Sequence, residues 1–304
     1  MRISYNRIIL WVIKMYERIK NEVLKYFPMQ VRDCIINSAD YRLKDVKEIR
    51  IRVNRPIVLK TFTDDIVVDN AKVDKETINK IFECICGNSI YAFTDEISNG
   101  FITIFGGHRV GISGKTLYKE GKIYNIKDIS SLNFRVARQI IGAGDKIINL
   151  IKKNGNFENT LIISPPGVGK TTVLRDIVRR ISNSGYEVSL IDERTEIAAC
   201  FNGIPQNDVG QRTDIMDGVN KDDGIKMMVR SMRPDFVATD EIGTDEDADA
   251  IMYAINSGVK VIATAHGNSI RDLGRSQGLK KLIDQGLFKK VVIMNSKEVE
   301  VKDF

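Results

Sequence analysis

Ser164-Pro165-Pro166-Gly167-Val168-Gly169-Lys170-Thr171-Thr172 is the stretch that decides the fold. It directly follows the apolar run Leu161-Ile162-Ile163. Directly after it come Val173, Leu174, Ile177, Val178 and Ile181, spaced along one face of a helix. A strand, a glycine-bearing turn, Lys-Thr and a helix, in that order, are the context of a phosphate-binding loop. Gly167 and Gly169 let successive backbone N–H groups turn inward, and the helix N-terminus adds partial positive charge. Lys170 is expected on the β and γ phosphates of a nucleotide, and the Thr171 hydroxyl on Mg²⁺. Position 164 holds Ser where the usual pattern begins with Gly.

Beyond the loop, short apolar runs alternate with helices: 161–163, 188–191, 236–238 and 260–264. Such runs read as buried parallel strands with chemical groups at their carboxyl ends. Phe236-Val-Ala-Thr-Asp-Glu241 ends in two carboxylates. A parallel strand next to the loop would put Asp240 behind the direct ligands of Mg²⁺, in support of Thr171, and let Glu241 polarise the attacking water. Ile191-Asp-Glu-Arg-Thr-Glu196 supplies Asp192, Glu193 and Glu196 beside Arg194, which either meets phosphate or pairs with a neighbouring carboxylate. His266, in Thr264-Ala-His-Gly-Asn268, is either a γ-phosphate sensor or a structural histidine.

Residues 1–141 read as a smaller α+β domain. Apolar positions Ile9, Val12, Ile13, Tyr16, Ile19, Val23 and Leu24 predict a core-facing helix over 8–27. Met15 offers a shorter start, which makes residues 1–14 a dispensable extension. Strands 48–53 and 56–60 flank a turn at Asn54-Arg55, a helix covers 75–86, and a glycine-rich β segment runs over 100–121. Gly142-Ala143-Gly144 predicts a hinge, with a linker helix from near Asp145. The expected division is thus 1–141, a hinge and linker over 142–158, and a nucleotide domain over 159–304.

At 43% hydrophobic and 28% charged, the 304 residues fit a globular protein and exclude disordered, collagen-like and coiled-coil classes. The net charge of +6 is uneven: residues 1–150 carry 25 basic and 17 acidic side chains, or +8. A basic front half suits an acidic partner, whether phosphate, anionic lipid or nucleic acid. Four cysteines make no disulfide framework, and two histidines leave little for an imidazole metal site. Cys84 and Cys86 are expected as a buried apolar pair. The run from Ile8 to Ile13 is far short of the about 20 residues that cross a bilayer, and a cytoplasmic location is expected.

The order of these motifs resembles the secretion ATPases of the type II and type IV systems. Within them the chain is most similar to the stage III sporulation AA family. Front-half segments carry the likeness as well: Glu48-Ile-Arg-Ile-Arg-Val53, Gly107-His-Arg-Val-Gly-Ile-Ser-Gly114 and Ile129-Ser-Ser-Leu-Asn-Phe-Arg-Val-Ala-Arg138. It covers nearly the whole chain. The resemblance implies an α/β fold: a RecA-like P-loop NTPase domain with a mostly parallel sheet, behind a smaller α+β domain. It implies Walker A and Walker B motifs of AAA+ type, ATP rather than GTP, and a ring of six. In such rings ATP lies between the domains and arginines approach the phosphates; Arg109, Arg135 and Arg138 are the candidates, with Arg212, Arg230 and Arg233 at interfaces. It further implies a mother-cell cytoplasmic protein at the inner face of the membrane, powering a transenvelope channel into the forespore. Its partners would then be membrane proteins of the sporulation channel operon, which would also hold it at the membrane. One rival is a nucleic-acid-stimulated RecA-like ATPase, yet no RNP, KH or helix-turn-helix pattern occurs, so nucleic acid is not expected. Another is a nucleotide-binding scaffold without turnover, against which Glu241 stands.

Overall fold

The computed structural model describes residues 15–303 except 88, 276, 296 and 297. The extension 1–14, and with it the start of the expected helix over 8–27, lies outside the described residues. Two compact units divide between Arg138 and Gln139.

In the first unit the chain is helical from residue 15, continues as a π turn over Ile19–Val23 and closes as a 3₁₀ turn over Leu24–Tyr26. Met15, Ile19, Val23 and Leu24 are buried, as the helical spacing predicts. After α1 (Met29–Ala39) come β1 (Glu48–Arg52), β2 (Pro56–Lys60) and β3 (Asp65–Lys72). Ile49, Ile51, Ile57 and Leu59 alternate into the core, the period of a half-buried strand. Next is α2 (Lys75–Ile85), capped by the Asp74 carboxylate, which accepts from the Thr77 N–H. The unit finishes with α3 (Thr94–Ser98), β4 (Phe101–Ile104), β5 (His108–Lys119) and β6 (Lys122–Arg135). The antiparallel sheet runs β3-β2-β1-β6-β5-β4.

The cysteine expectation needs correcting. Cys86 is buried, but Cys84 on α2 is exposed. Residues two apart on a helix point to opposite sides, so both could not have faced the core.

The second unit opens with hydrogen-bonded turns over 141–151 in place of the expected linker helix. Asp176 accepts the Gly144 N–H at 2.9 Å, which ties this segment sideways. A small hairpin follows, β7 (Lys152–Lys153) with β8 (Asn156–Phe157). The main elements are β9 (Thr160–Ser164), α4 (Lys170–Asn183), β10 (Val188–Asp192), β11 (Thr213–Asp217), α5 (Lys221–Met232), β12 (Phe236–Thr239), α6 (Asp245–Asn256) and β13 (Lys260–His266). The unit ends with α7 (Gln277–Asp284), β14 (Lys290–Met294) and β15 (Val299–Asp303). The sheet order is β11-β10-β12-β13-β9-β14-β15; the strands are parallel except β15, which pairs antiparallel with β14.

Helices cover both faces. Leu174, Ile177 and Ile181 of α4 pack on one side with Leu190 and Ile262. Ile225 of α5, Ile251 of α6 and Leu282 of α7 pack on the other with Ile191 and Val261. Burial on both faces explains why these strands read as unbroken apolar runs. One placement differs from expectation: β12 does not neighbour β9, because β13 lies between them.

Candidate nucleotide site

The loop after β9 turns on Gly167 (φ +80°) and Gly169 (φ +103°), both in the left-handed region where a side chain is strained. Gly169 is the N-cap of α4, so Lys170 and Thr171 begin the helix and its free N–H groups face the loop. Ser164 ends β9 fully buried, and its hydroxyl donates to the Pro165 carbonyl at 3.1 Å.

Lys170, only 5% exposed, donates from Nζ to Glu241 Oε1 at 3.1 Å and lies 3.2 Å from His266 Nδ1. His266 Nε2 is 2.9 Å from the same carboxylate oxygen. Arg194 Nη1 pairs with the other, Glu241 Oε2. Burial alone would raise the Glu241 carboxyl; the Lys170 hydrogen bond and charge, with Arg194 and His266, hold it below the usual range instead. Beside this knot, Thr171 Oγ1 donates to Asp240 Oδ2 at 2.5 Å.

The intervening strand β13 supplies a further residue from the Thr264–Asn268 segment. Thr264, fully buried, donates its hydroxyl to Asp240 Oδ1 and accepts the Glu241 N–H at 2.9 Å. Its carbonyl takes the Ile242 N–H at 2.8 Å. These bonds hold Glu241 at φ +54°, a conformation that L residues adopt at a cost of about 1–2 kcal/mol. Such a conformation persists where surrounding bonds over-determine it.

Asp192, expected among the polar groups of the site, serves the chain instead. At 2% exposure its carboxylate accepts the N–H groups of Glu196, Ile197 and Ala198 at 2.8–2.9 Å. Burial nevertheless raises it above the usual carboxylate range. From α4, buried Arg175 donates to the carbonyls of Ile197 and Glu196 at 2.5 and 2.6 Å. The loop after β10 is thereby framed, with Arg194 at its edge and 63% exposed. Glu193 pairs with Lys221, the first residue of α5. Neither Lys221 nor Arg175 belongs to a recognisable motif.

Mg²⁺ prefers hard oxygen donors and keeps several waters or phosphate oxygens. The Thr171 hydroxyl and the Asp240 carboxylate face each other across the loop and fit that donor set. Among the described residues no group of three or more His, Cys, Asp or Glu forms a metal cage, so substrate oxygens would complete the shell.

The predicted arginines of the first unit have other contacts in view. Arg138 donates to the carbonyls of Lys44 and Val46 at 2.6 and 2.9 Å and stacks on Phe62. Arg109 lies over the Phe101 ring at 3.9 Å, and Arg135 ends β6 exposed. In the second unit, Arg212 pairs with Glu187, Arg230 lies over Tyr253, and Arg233 ends α5 at φ +50°.

Solved structures share this architecture. The ATPase DotB of Legionella pneumophila superposes with a TM-score of 0.60 at 16% identity, over 90% of this chain and 79% of that one. The pilus retraction motor PilT, solved with bound ADP, gives 0.57 at 14% identity, over 84% and 77%. Fold and loop together define a RecA-like P-loop protein with an N-terminal domain, in the fold of the secretion ATPases. The chain belongs to the sporulation stage III, protein AA family, whose model matches residues 17–302. Stage III sporulation protein AA of Bacillus subtilis is 38% identical over 274 residues, 88% of each chain.

Proposed function

We propose that the chain is a Mg²⁺-dependent ATPase of the secretion-motor type. The observation that carries this reading is the knot of Lys170, Glu241 and His266 beside the Thr171–Asp240 pair, all at the mouth of a phosphate-binding loop. Lys170 and Glu241 neutralise each other within the knot. ATP phosphates, cradled by backbone from Ser164 to Thr172, would draw Lys170 away and release the carboxylate. Glu241 then takes the proton of the attacking water, with His266 hydrogen-bonded at the γ-phosphate. Thr171 and Asp240 would hold Mg²⁺, which would supply charge neutralisation on the phosphates. Arg194, paired with Glu241, would follow the phosphate charge, and Glu193 would act beside it on the same water.

The family membership supports a setting in endospore formation: work on a transenvelope channel, by a cytoplasmic ring of six held at the membrane through protein partners. No helix among the described residues is long and apolar enough to cross a membrane. Arg109, Arg135 and Arg138 are the arginines proposed for phosphate contact, and Arg138 Nη2 also donates to the carbonyls of Lys44 and Val46.

Phosphate release from Mg²⁺-ATP tests the reading. Wild-type turnover should fall about 100-fold or more in Lys170→Ala, with a native mass near six subunits in ATP. Turnover independent of Lys170 would overturn the site. A rise with single-stranded DNA that salt abolishes would favour the nucleic-acid-stimulated ATPase instead.

A further inference from the structure

Close to the Lys170–Glu241 knot stands a buried charge that the knot does not use. Lys221 is 8% exposed and stands at the first position of α5. A lysine there is disfavoured twice. Burial strips hydration from the ammonium, and the positive end of the helix dipole repels it. Its partner is the Glu193 carboxylate, just past the end of β10. Gly224, one turn into α5, makes the meeting possible. A Cβ there would lie 2.8 Å from Val219 Cγ1 and 3.0 Å from Ile191 Cγ2, so glycine lets α5 press onto β10. Glu193 and Lys221 then line a small cavity of about 10 Å³ with Arg194, Asp240 and Glu241. That is the space of one water among several polar partners.

We propose that Lys221 is a positioning residue for hydrolysis, holding Glu193 against this cavity so that Glu193 and Glu241 grip the attacking water from two sides. The inference rests on the ATPase reading above and adds a residue to it. The water oxygen bonds to the γ-phosphorus as the bond to the β,γ-bridging oxygen breaks. That electron pair leaves with ADP, and the water proton passes to Glu241. Glu193 accepts a hydrogen bond from the same water and orients it. Lys221 acts only through Glu193, so removing either should harm the same step.

Steady-state ATP hydrolysis by the full chain tests this with Lys221→Met, Lys221→Arg, Glu193→Gln and the double variant Lys221→Met/Glu193→Gln. Lys170→Ala is the control, and a thermal melt is run on every sample. Lys221→Met and Glu193→Gln should each lower kcat at least about tenfold with KM for ATP within about twofold. The double variant should be no slower than the worse single one, and Lys221→Arg should recover most of the rate. An unchanged kcat in Lys221→Met, or losses that multiply in the double variant, would make the pair a structural anchor and overturn the inference. If Lys221→Met does not fold, Glu193→Gln and Lys221→Arg decide. A slow Glu193→Gln beside a fast Lys221→Arg supports the inference, and a fast Glu193→Gln overturns it. Wild-type turnover that ignores Lys170 would instead bring down the ATPase reading, and this inference with it.

Discussion

Asp192 and Asp240 both end apolar strands of the same sheet, yet they do different work. Asp192 is closed over by three backbone N–H donors, whereas Asp240 faces two hydroxyls at the loop. Asp192→Ala leaves three donors without an acceptor and should cost at least about 3 kcal/mol of stability, read as a lower melting temperature. Asp240→Ala takes the acceptor from one fully buried hydroxyl, that of Thr264, so it should cost about 1–3 kcal/mol and abolish Mg²⁺-dependent turnover. Thr264→Val removes the partner of both Asp240 and the Glu241 N–H. A loss of about 1–3 kcal/mol is expected in the melt, with turnover falling further than ATP affinity. In the sequence, Lys170, Thr171, Asp240 and Glu241 stand out because each sits at a strand end or loop position with a chemical reason. Asp192 looked the same, since nothing local shows whether a carboxylate points at a substrate or at its own following backbone. Lys221 and Arg175 were illegible because their partners lie many residues away.

Strands buried on both faces announce themselves as apolar runs, which is why β9, β10, β12 and β13 could be read from sequence and β11 could not. Thr213-Asp-Ile-Met-Asp217 is an edge strand, and its polar positions mask it. Strand order was also hidden. Placing β13 between β9 and β12 depends on crossover geometry, and it brings Thr264 and His266 beside Asp240 and Glu241. The linker segment failed differently: Ile147, Ile148 and Ile151 are buried at helix-like spacing, but the segment closes as turns tied to Asp176. At the α5–β10 contact, Gly224→Ala would gain about 1 kcal/mol of helix propensity. Against it stand Val219 and Ile191, too close for a methyl group, at about 1–3 kcal/mol of overpacking. A lower melting temperature with unchanged helix content by circular dichroism is the expected outcome.

Each of the two units has its own core, so heat should separate them by their chemistry. In the first, His108 is fully buried; Nδ1 accepts the Ala137 N–H at 3.0 Å and Nε2 lies 2.9 Å from Glu22 Oε2. Burial, with the nearby charges of Arg18 and Lys25, depresses the imidazole below 6.5 against the opposing pull of Glu22. A depressed folded value means stability fully present above 6.5 and lost as pH falls through that value, because the unfolded chain takes up the proton first. Calorimetry from pH 7 to 5 should therefore lower the transition of the first unit, and His108→Gln should flatten that dependence. ADP should raise the transition of the second unit, since it binds only the folded loop. A single transition that responds to neither would contradict this division.

On the proposed mechanism Lys170 binds nucleotide and Glu241 drives its hydrolysis, and trapped nucleotide separates the two roles. Glu241→Gln, incubated with Mg²⁺ and radiolabelled ATP and then separated from free nucleotide, should retain intact ATP while wild-type protein yields ADP and phosphate. Lys170→Ala should retain neither. ADP formed by Glu241→Gln at the wild-type rate would contradict the role of Glu241.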